Sequence, residues 1–168
     1  MHETKSEIVG LQRLLDRSAD QAGAHIRSIF KPEHKLSARQ VARFFQGVKQ
    51  VAAATVSSKG KPRVAPIDAV FYHGRFYLST EKNSLRARHL STKPEVSLTF
   101  FEGADPVVIV HGRASLIRRG SPIFRKLDSH WMKAYGTSTT TLSKDVLFVR
   151  VDPEIMFAYA FHAEHFSE

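Results

Sequence analysis

The segment from Val51 to Leu90 constrains the fold most strongly, because it contains three strand-like runs separated by tight turns. The dipeptides Lys59-Gly60 and His73-Gly74 mark the two turns. Glycine in a short turn between runs rich in β-branched and aromatic residues is typical of an antiparallel hairpin. The three strands predicted from this pattern are 50–57, 62–72 and 75–80.

A short basic helix follows the third strand, and either Asn83 or Ser84 can cap its first turn. The first turn of a helix has unpaired N–H groups and the positive end of the helix dipole, so it suits a bound phosphate. Arg86 can add a planar set of donors, and Ser79 and Thr80 can add hydroxyls from the strand end. On spacing alone, a solvated basic helix with an ordinary cap explains this stretch equally well.

Four pieces of the chain, in this order, resemble the pyridoxamine 5′-phosphate oxidase-like family, the FMN-binding split barrels. The resemblance extends from Ser37 to about Ala158. It implies a mainly β protein with flanking helices, folded as a Greek-key split β-barrel. Residues 1–36 would then be an N-terminal helical extension, and residues 37–168 the split-barrel domain that binds the cofactor. The four pieces are 53–66, 76–80, 84–90 and 110–114.

The resemblance also implies which residues bind the cofactor, and it assigns no catalytic residue and no metal ligand. Pro62 and Pro66 cannot donate an N–H to a ladder, so they indicate an edge or a bulge in the second strand. Arg63 has two interpretations, a contact to the phosphate or ribityl group and a solvent-facing arginine after a turn. The predicted cofactor-binding residues are Arg63, Val64, Ala65, Pro66, Ile67, Ser79, Thr80, Ser84, Arg86 and Arg88.

The chain departs from the oxidases that produce pyridoxal phosphate. Ala65 and Leu85 occupy positions where those enzymes carry arginine, and Val107 and Ala158 fall near their glutamine and tryptophan. Their C-terminal Arg-x-His-x-Arg motif is absent from the sequence. The predicted function is therefore an FMN-dependent oxidoreductase that acts on an unidentified small molecule and is not a pyridoxamine phosphate oxidase.

Other cofactors and a non-enzymatic role stay open at this stage. Lys61, Arg63 and Arg86 would suit the phosphate and polyglutamate tail of F420, a deazaflavin. A heme-binding barrel would need an axial histidine from His111, His162 or His165, although a lone strand histidine and a solvated tail are the simpler explanations. A flavin carrier, a sensor or a barrel without cofactor is the non-enzymatic alternative.

The amino-acid composition excludes several kinds of site and makes others unexpected. The chain of 168 residues has no cysteine, which excludes disulfides, thiolate catalysis and Cys-ligated metal sites. Its net charge of +9 comes without a nucleic-acid motif or a long basic run, so a nucleic-acid partner is not expected. No membrane-spanning run or signal peptide is recognisable, and a cytoplasmic protein is expected. Family members are usually homodimers with cofactors at the interface, so a homodimer is implied.

Several further elements and residues are predicted. Asp68 could be a paired surface carboxylate or a contact to the ring, and the aromatic C-terminal strand (Met156, Phe157, Tyr159, Phe161) could stack on a flavin or form core. Trp131 is expected in the core. The polar segment 136–143 is expected to form a lid or a disordered loop. A turn is predicted at 102–105. The predicted helices are 4–30, 37–47 and 121–135, and the remaining predicted strands are 95–101, 106–118, 145–151 and 154–161.

Overall fold

The computed structural model describes residues 1–103 and 105–167, in which six antiparallel strands close into a barrel. The strands follow the order β1-β2-β3-β6-β5-β4 around the barrel, so the predicted split-barrel fold is confirmed. Closure is achieved by pairing β3 with β6 and β1 with β4, which leaves few exposed strand edges. The strands are β1 Val48–Val56, β2 Pro62–Tyr72, β3 Arg75–Glu81, β4 Glu95–Phe101, β5 Val107–Ile117 and β6 Val146–Tyr159.

Six α-helices and two short 3-10 turns among the described residues surround the barrel. None of the helices within the described residues is long and apolar enough to cross a lipid bilayer. The helices are α1 Lys5–Asp20, α2 Ala24–Ile29, α3 Ala38–Phe44, α4 Leu85–Thr92, α5 Pro122–Tyr135 and α6 Thr139–Leu142, and the 3-10 turns are Pro32–His34 and Ala163–His165.

Alternation along the strands divides the apolar residues between two clusters. Inward-facing residues such as Leu78, Val110 and Val149 fill the barrel. Outward-facing residues of β2, β3 and β6 pack beneath α5, where Trp131 contacts Phe148 with ring centroids 4.9 Å apart. Because successive strand residues point to opposite faces, one strand can serve both clusters. Trp131 is 3% exposed, so its predicted place in the core is confirmed.

The N-terminal extension is two helices, so the prediction of one helix over 4–30 was wrong. α1 ends at Asp20, and α2 starts after Gly23, whose extended backbone forms its N-cap. The error arose because apolar residues can keep a helical spacing across a three-residue interruption between two helices. α1 packs across the barrel, and the Ser18 hydroxyl accepts a hydrogen bond of 2.9 Å from the Met156 N–H.

The last two predicted strands, 145–151 and 154–161, are a single strand, β6. The register of β6 against β5 shifts between His111, which lies opposite Ile155, and Gly112, which lies opposite Pro153, so Glu154 is the extra residue of a bulge. The chain crosses this bulge without leaving the sheet because Gly112 has no side chain. A Cβ added there would lie 2.2 Å from the carbonyl oxygen of Asp152.

The polar segment 136–143, predicted as a lid or a disordered loop, contains the short helix α6. Asp128 on α5 holds it in place. Its carboxylate accepts hydrogen bonds from the Ser138 hydroxyl at 2.6 Å and from the Thr139 N–H at 2.8 Å. These bonds hold the pKa of Asp128 below its usual range, against the opposing effect of burial. In the predicted turn at 102–105, residue 104 lies outside the described residues.

Candidate functional site

The closed barrel leaves part of one edge of β2 without a strand partner. On one side β2 pairs with β1 from Pro62 to Val70, whereas on the other side it pairs with β3 only from Ala69 to Tyr72. Residues 62–68 therefore have one edge without a strand partner, and residues 62–66 are exposed. The expectation that Pro62 and Pro66 mark a free edge is confirmed. Backbone groups along this open edge can bond a ligand instead of a strand.

The residues beside the open edge are divided between two faces of the sheet. Residues directly opposite each other in an antiparallel pair point to the same face. Arg63 lies opposite Thr55, and Ile67 opposite Val51, so these residues share the inner face. Asp68 lies opposite Gln50 on the outer face. The interior face leads to α4, and the exterior face leads to α5 and α6.

Ser84 is the N-cap of α4, and the alternative cap Asn83 is excluded. The Ser84 hydroxyl accepts a hydrogen bond of 3.0 Å from the Ala87 N–H and lies 3.0 Å from the Thr80 hydroxyl. Thr80 thus joins the strand end to the helix start. Ser79, one residue earlier, points to the opposite face. The structure therefore brings Thr80, and not Ser79, to the first turn of α4.

Arg86 lies in the first turn of α4, two residues after Ser84. It is half-buried, and its guanidinium makes no hydrogen bond or ion pair with any residue that the structure describes. Burial lowers the pKa of Arg86 below its usual range, because desolvation disfavours the charged form. A half-buried cation without a counter-ion costs free energy, so an anion bound here would be stabilised.

A contact between α4 and β1 orients the helix, and sequence reasoning missed it. The Thr55 hydroxyl lies 3.0 Å from Nδ1 of His89. Arg86 precedes His89 by three residues and so lies on the same helix face, toward β1. Since Arg63 pairs with Thr55 on β2, both arginines flank the same region. A hydroxyl in a strand of otherwise small apolar residues is a signal in the sequence that could have pointed to Thr55.

The other predicted residues are less closely grouped. Arg88 is exposed and lies two positions after Arg86, which places it on a different side of α4. Arg63 is also exposed and donates a 3.0 Å hydrogen bond to its neighbouring carbonyl, that of Pro62. Val64 and Ala65 are exposed on β2, and Ile67 is buried.

The predicted candidates on β5 and β6 lie elsewhere. His111 is exposed on the outer face of the barrel, 2.8 Å from the Ser97 hydroxyl. Met156 is fully buried in the barrel core, while Phe157 and Tyr159 pack against Phe30 of the N-terminal extension. For these three residues, the core explanation is the one that the structure supports.

A second feature was missed because its members are distant in sequence. The Tyr135 hydroxyl donates a 2.9 Å hydrogen bond to the Asp68 carboxylate. Of the two interpretations of Asp68, this bond supports the paired carboxylate. Burial and this bond raise the pKa of Tyr135. The pair lies over a hollow of about 510 Å³ that borders Ser79 and Thr80.

The chain matches one protein family over most of its length. The profile of the pyridoxamine 5′-phosphate oxidase family matches residues 37–158. The chain belongs to this family. The match begins where the N-terminal extension ends, and it includes β1 to β5, most of β6 and the whole of α4. A comparison with curated proteins found no significant match.

Solved structures of the same fold differ in the ligands that their names indicate. The heme storage protein HutZ of Vibrio cholerae is 20% identical, with a TM-score of 0.63 over 76% of this chain and 97% of that one. A FAD-binding protein of Mesorhizobium loti is 18% identical, with a TM-score of 0.58 over 74% and 93%. An F420 reductase is 15% identical, with a TM-score of 0.53 over 77% and 94%. At these identities the likeness shows the shared fold of the family.

Proposed function

We propose that this protein binds FMN along the open edge of β2 and acts as a flavin-dependent oxidoreductase. The observation that carries the proposal is the half-buried, unpartnered guanidinium of Arg86 beside the first turn of α4. The N–H groups of Leu85 and Arg86 are available there, since the Ser84 hydroxyl takes only that of Ala87. Family membership and the FAD-binding structural neighbour support a flavin.

The chain's own part in this function is to bind and orient. Arg86 and the α4 N-terminus would neutralise the phosphate, with Thr80 and Ser84 adding hydroxyls. The free backbone edge of residues 63–67 would run beside the ribityl chain and ring. FMN supplies the redox chemistry when bound, so the protein needs no nucleophile of its own.

The substrate of this proposed oxidoreductase is a small molecule other than pyridoxamine phosphate. Ala65 and Leu85 stand where the oxidases of that substrate carry basic groups, and both side chains are exposed beside the open edge. The Arg-x-His-x-Arg motif with which those oxidases hold their substrate is also absent from the sequence. F420 is an alternative cofactor on the same residues, supported by the F420 reductase neighbour and by the exposed Lys61 and Arg63 at the start of β2.

Heme is a second candidate because of one specific contact. Nδ1 of His162 lies 2.6 Å from the Asp105 carboxylate, which leaves Nε2 as the free ligand atom. The bond to Asp105 raises the pKa of His162, so raising the pH would free the imidazole for iron. The heme storage protein among the structural neighbours supports this candidate.

A homodimer is the proposed assembly. The outer face of β1 and β4 carries small residues, Ala52 and Ala54 opposite Thr99 and Ser97, and Phe101 at its end is 64% exposed. A second copy of the chain packed on this face would cover Phe101. Light scattering of the protein and a Phe101→Glu variant tests this: a dimer that becomes monomeric supports it, and a wild-type monomer contradicts it. A cytoplasmic location stays a prediction.

The deciding experiment is a spectral titration of the apo-protein with FMN, F420 and hemin. FMN should bind most tightly, and Arg86→Ala should weaken it about tenfold to a hundredfold, the range for losing a hydrogen-bonded ion pair. Arg88→Ala is the matched control and should have little effect. Equal FMN affinity in Arg86→Ala and the wild type would contradict the phosphate site. A Soret shift that requires His162 would favour heme instead.

A further inference from the structure

The hollow on the outer side of β2 has a chemistry unlike the rest of the protein. It lies between the strands β1, β2, β3 and β6 and the helices α5 and α6, and its volume is about 510 Å³. It borders the open edge of β2 on the face opposite to α4. Its lining residues are Gln50, Asp68, Ser79, Thr80, Glu81, Trp131, Tyr135, Thr139, Leu142, Ser143 and Val146.

The ionisable groups of this hollow are acidic. Asp68 and Glu81 contribute carboxylates, and none of the described residues that line it is a lysine, an arginine or a histidine. This is the reverse of the whole chain, which has 25 lysines and arginines against 16 acidic residues. The local potential in the hollow is therefore set by Asp68 and Glu81 at short range, while the general positive field is screened by salt.

Asp68 is held in place within the hollow. The Tyr135 hydroxyl donates to its Oδ2 atom, and Oδ1 accepts no hydrogen bond from the residues that the structure describes. Asp68 thus keeps one carboxylate oxygen free to accept a hydrogen bond in the hollow. Tyr135 itself ends α5, and the contacts of Asp128 with Ser138 and Thr139 fix the opposite wall in α6.

We propose that this hollow is the substrate-binding site, and that Asp68 selects small aromatic or aliphatic molecules bearing a cationic or hydrogen-bond-donating group over anionic ones. The proposal rests on the proposed function, because the hollow becomes a substrate site through its position beside the cofactor strand. A carboxylate or phosphate on the substrate would meet Asp68 and Glu81 without a compensating cation. A protonated amine would meet a carboxylate already oriented by Tyr135.

The protein contains its own reporter for this test. Trp131 is the single tryptophan of the chain and lines the hollow, so its fluorescence responds to a ligand there. Three probes share one ring and differ in charge: benzylamine is a cation, benzyl alcohol is neutral and benzoate is an anion. We expect benzylamine to bind at least about fivefold more tightly than benzoate, which corresponds to one partly exposed ion pair. The net charge of +9 would favour the opposite order.

Variants identify the group responsible. Asp68→Asn should remove the preference for benzylamine, whereas Asp20→Asn, an exposed carboxylate on α1, should leave it unchanged. Tyr135→Phe should reduce the preference without removing it, since Tyr135 is a positioning residue. Equal affinities for the three probes, a preference for benzoate, a preference that survives Asp68→Asn, or no binding of any probe would each overturn the proposal.

The same titrations on apo- and FMN-loaded protein separate this proposal from the proposed function. If FMN binds but the probes show no dependence on Asp68, the flavin assignment stands and the substrate selection fails. If FMN does not bind but benzylamine binds through Asp68, the flavin assignment fails and the selectivity of the hollow stands.

Discussion

The substitution Gly112→Ala offers the sharpest test of the bulge between β5 and β6. An added Cβ would lie 2.2 Å from the Asp152 carbonyl oxygen, 3.0 Å from its carbonyl carbon and 3.1 Å from the Pro153 Cα. Real Cβ atoms essentially never approach within 3.0 Å, so one strand must move by about 0.8 Å. The atoms in contact are backbone, and no rotamer change can relieve the overlap.

The cost should lie at the upper end of that for overpacking, about 3 kcal/mol, because the register of the longest strand depends on this bulge. For a chain of this size, that corresponds to a fall in melting temperature of about 6–12 °C. Differential scanning calorimetry or thermal circular dichroism measures it. A denaturant titration gives the free energy of unfolding should thermal unfolding be irreversible.

Gly10→Ala is the matched control. Gly10 lies inside α1, is exposed, and has no heavy atom within 4 Å of an added Cβ. Alanine is favoured over glycine in a helix interior by about 0.5–1 kcal/mol, so this variant should melt higher than the wild type. The same glycine-to-alanine change is thus expected to lower the melting temperature at position 112 and to raise it at position 10. A Gly112→Ala variant as stable as the wild type would refute the bulge geometry.

Three further perturbations have expected outcomes. Arg86→Met should leave the apo-protein as stable as the wild type or more stable, since it removes a half-buried cation without a partner; a clear fall in the melting temperature would show that Arg86 has a structural partner. Asp128→Asn should destabilise at neutral pH. The pKa of Asp128 is lowered in the folded state, so its contribution is complete above the unfolded-state value of about 3.9 and is lost as the pH falls through the folded value. Melting curves of both proteins should therefore converge below about pH 4, and a constant difference would contradict this. Phe30→Ala should cost about 3 kcal/mol and expose the segment 21–36 to protease, because Phe30 is 7% exposed and anchors the extension on β6. Unchanged proteolysis would show that the extension is held by α1 alone.

The proposed cofactors differ in which groups of this chain would bind them. This chain provides an open β2 edge and a helix N-terminus. These suit the phosphate of FMN or F420, whereas heme carries carboxylates and no phosphate. Selection among FMN, F420 and heme then depends on side chains outside this shared frame, such as Arg63 and His162.

Local signals in the sequence were enough to predict most of the helices and strands. The hairpin turns, the Ser84 cap, and the helix between Ser121 and Gly136 were predicted within a few residues of the observed bounds. Each of these depends on backbone conformation and on neighbours no more than four residues away. The order of these elements also carried the family resemblance, and with it the split barrel.

Only the tertiary structure decided which side chains meet. The pairs Asp68–Tyr135 and Asp105–His162 are separated by 67 and 57 residues, and the Thr55–His89 pair by 34. Such contacts depend on strand register and on barrel closure, which no local pattern encodes. For the same reason the sequence could name Ser79 and Thr80 as hydroxyl donors, but the fold was needed to show that Thr80, and not Ser79, contacts the Ser84 cap of α4.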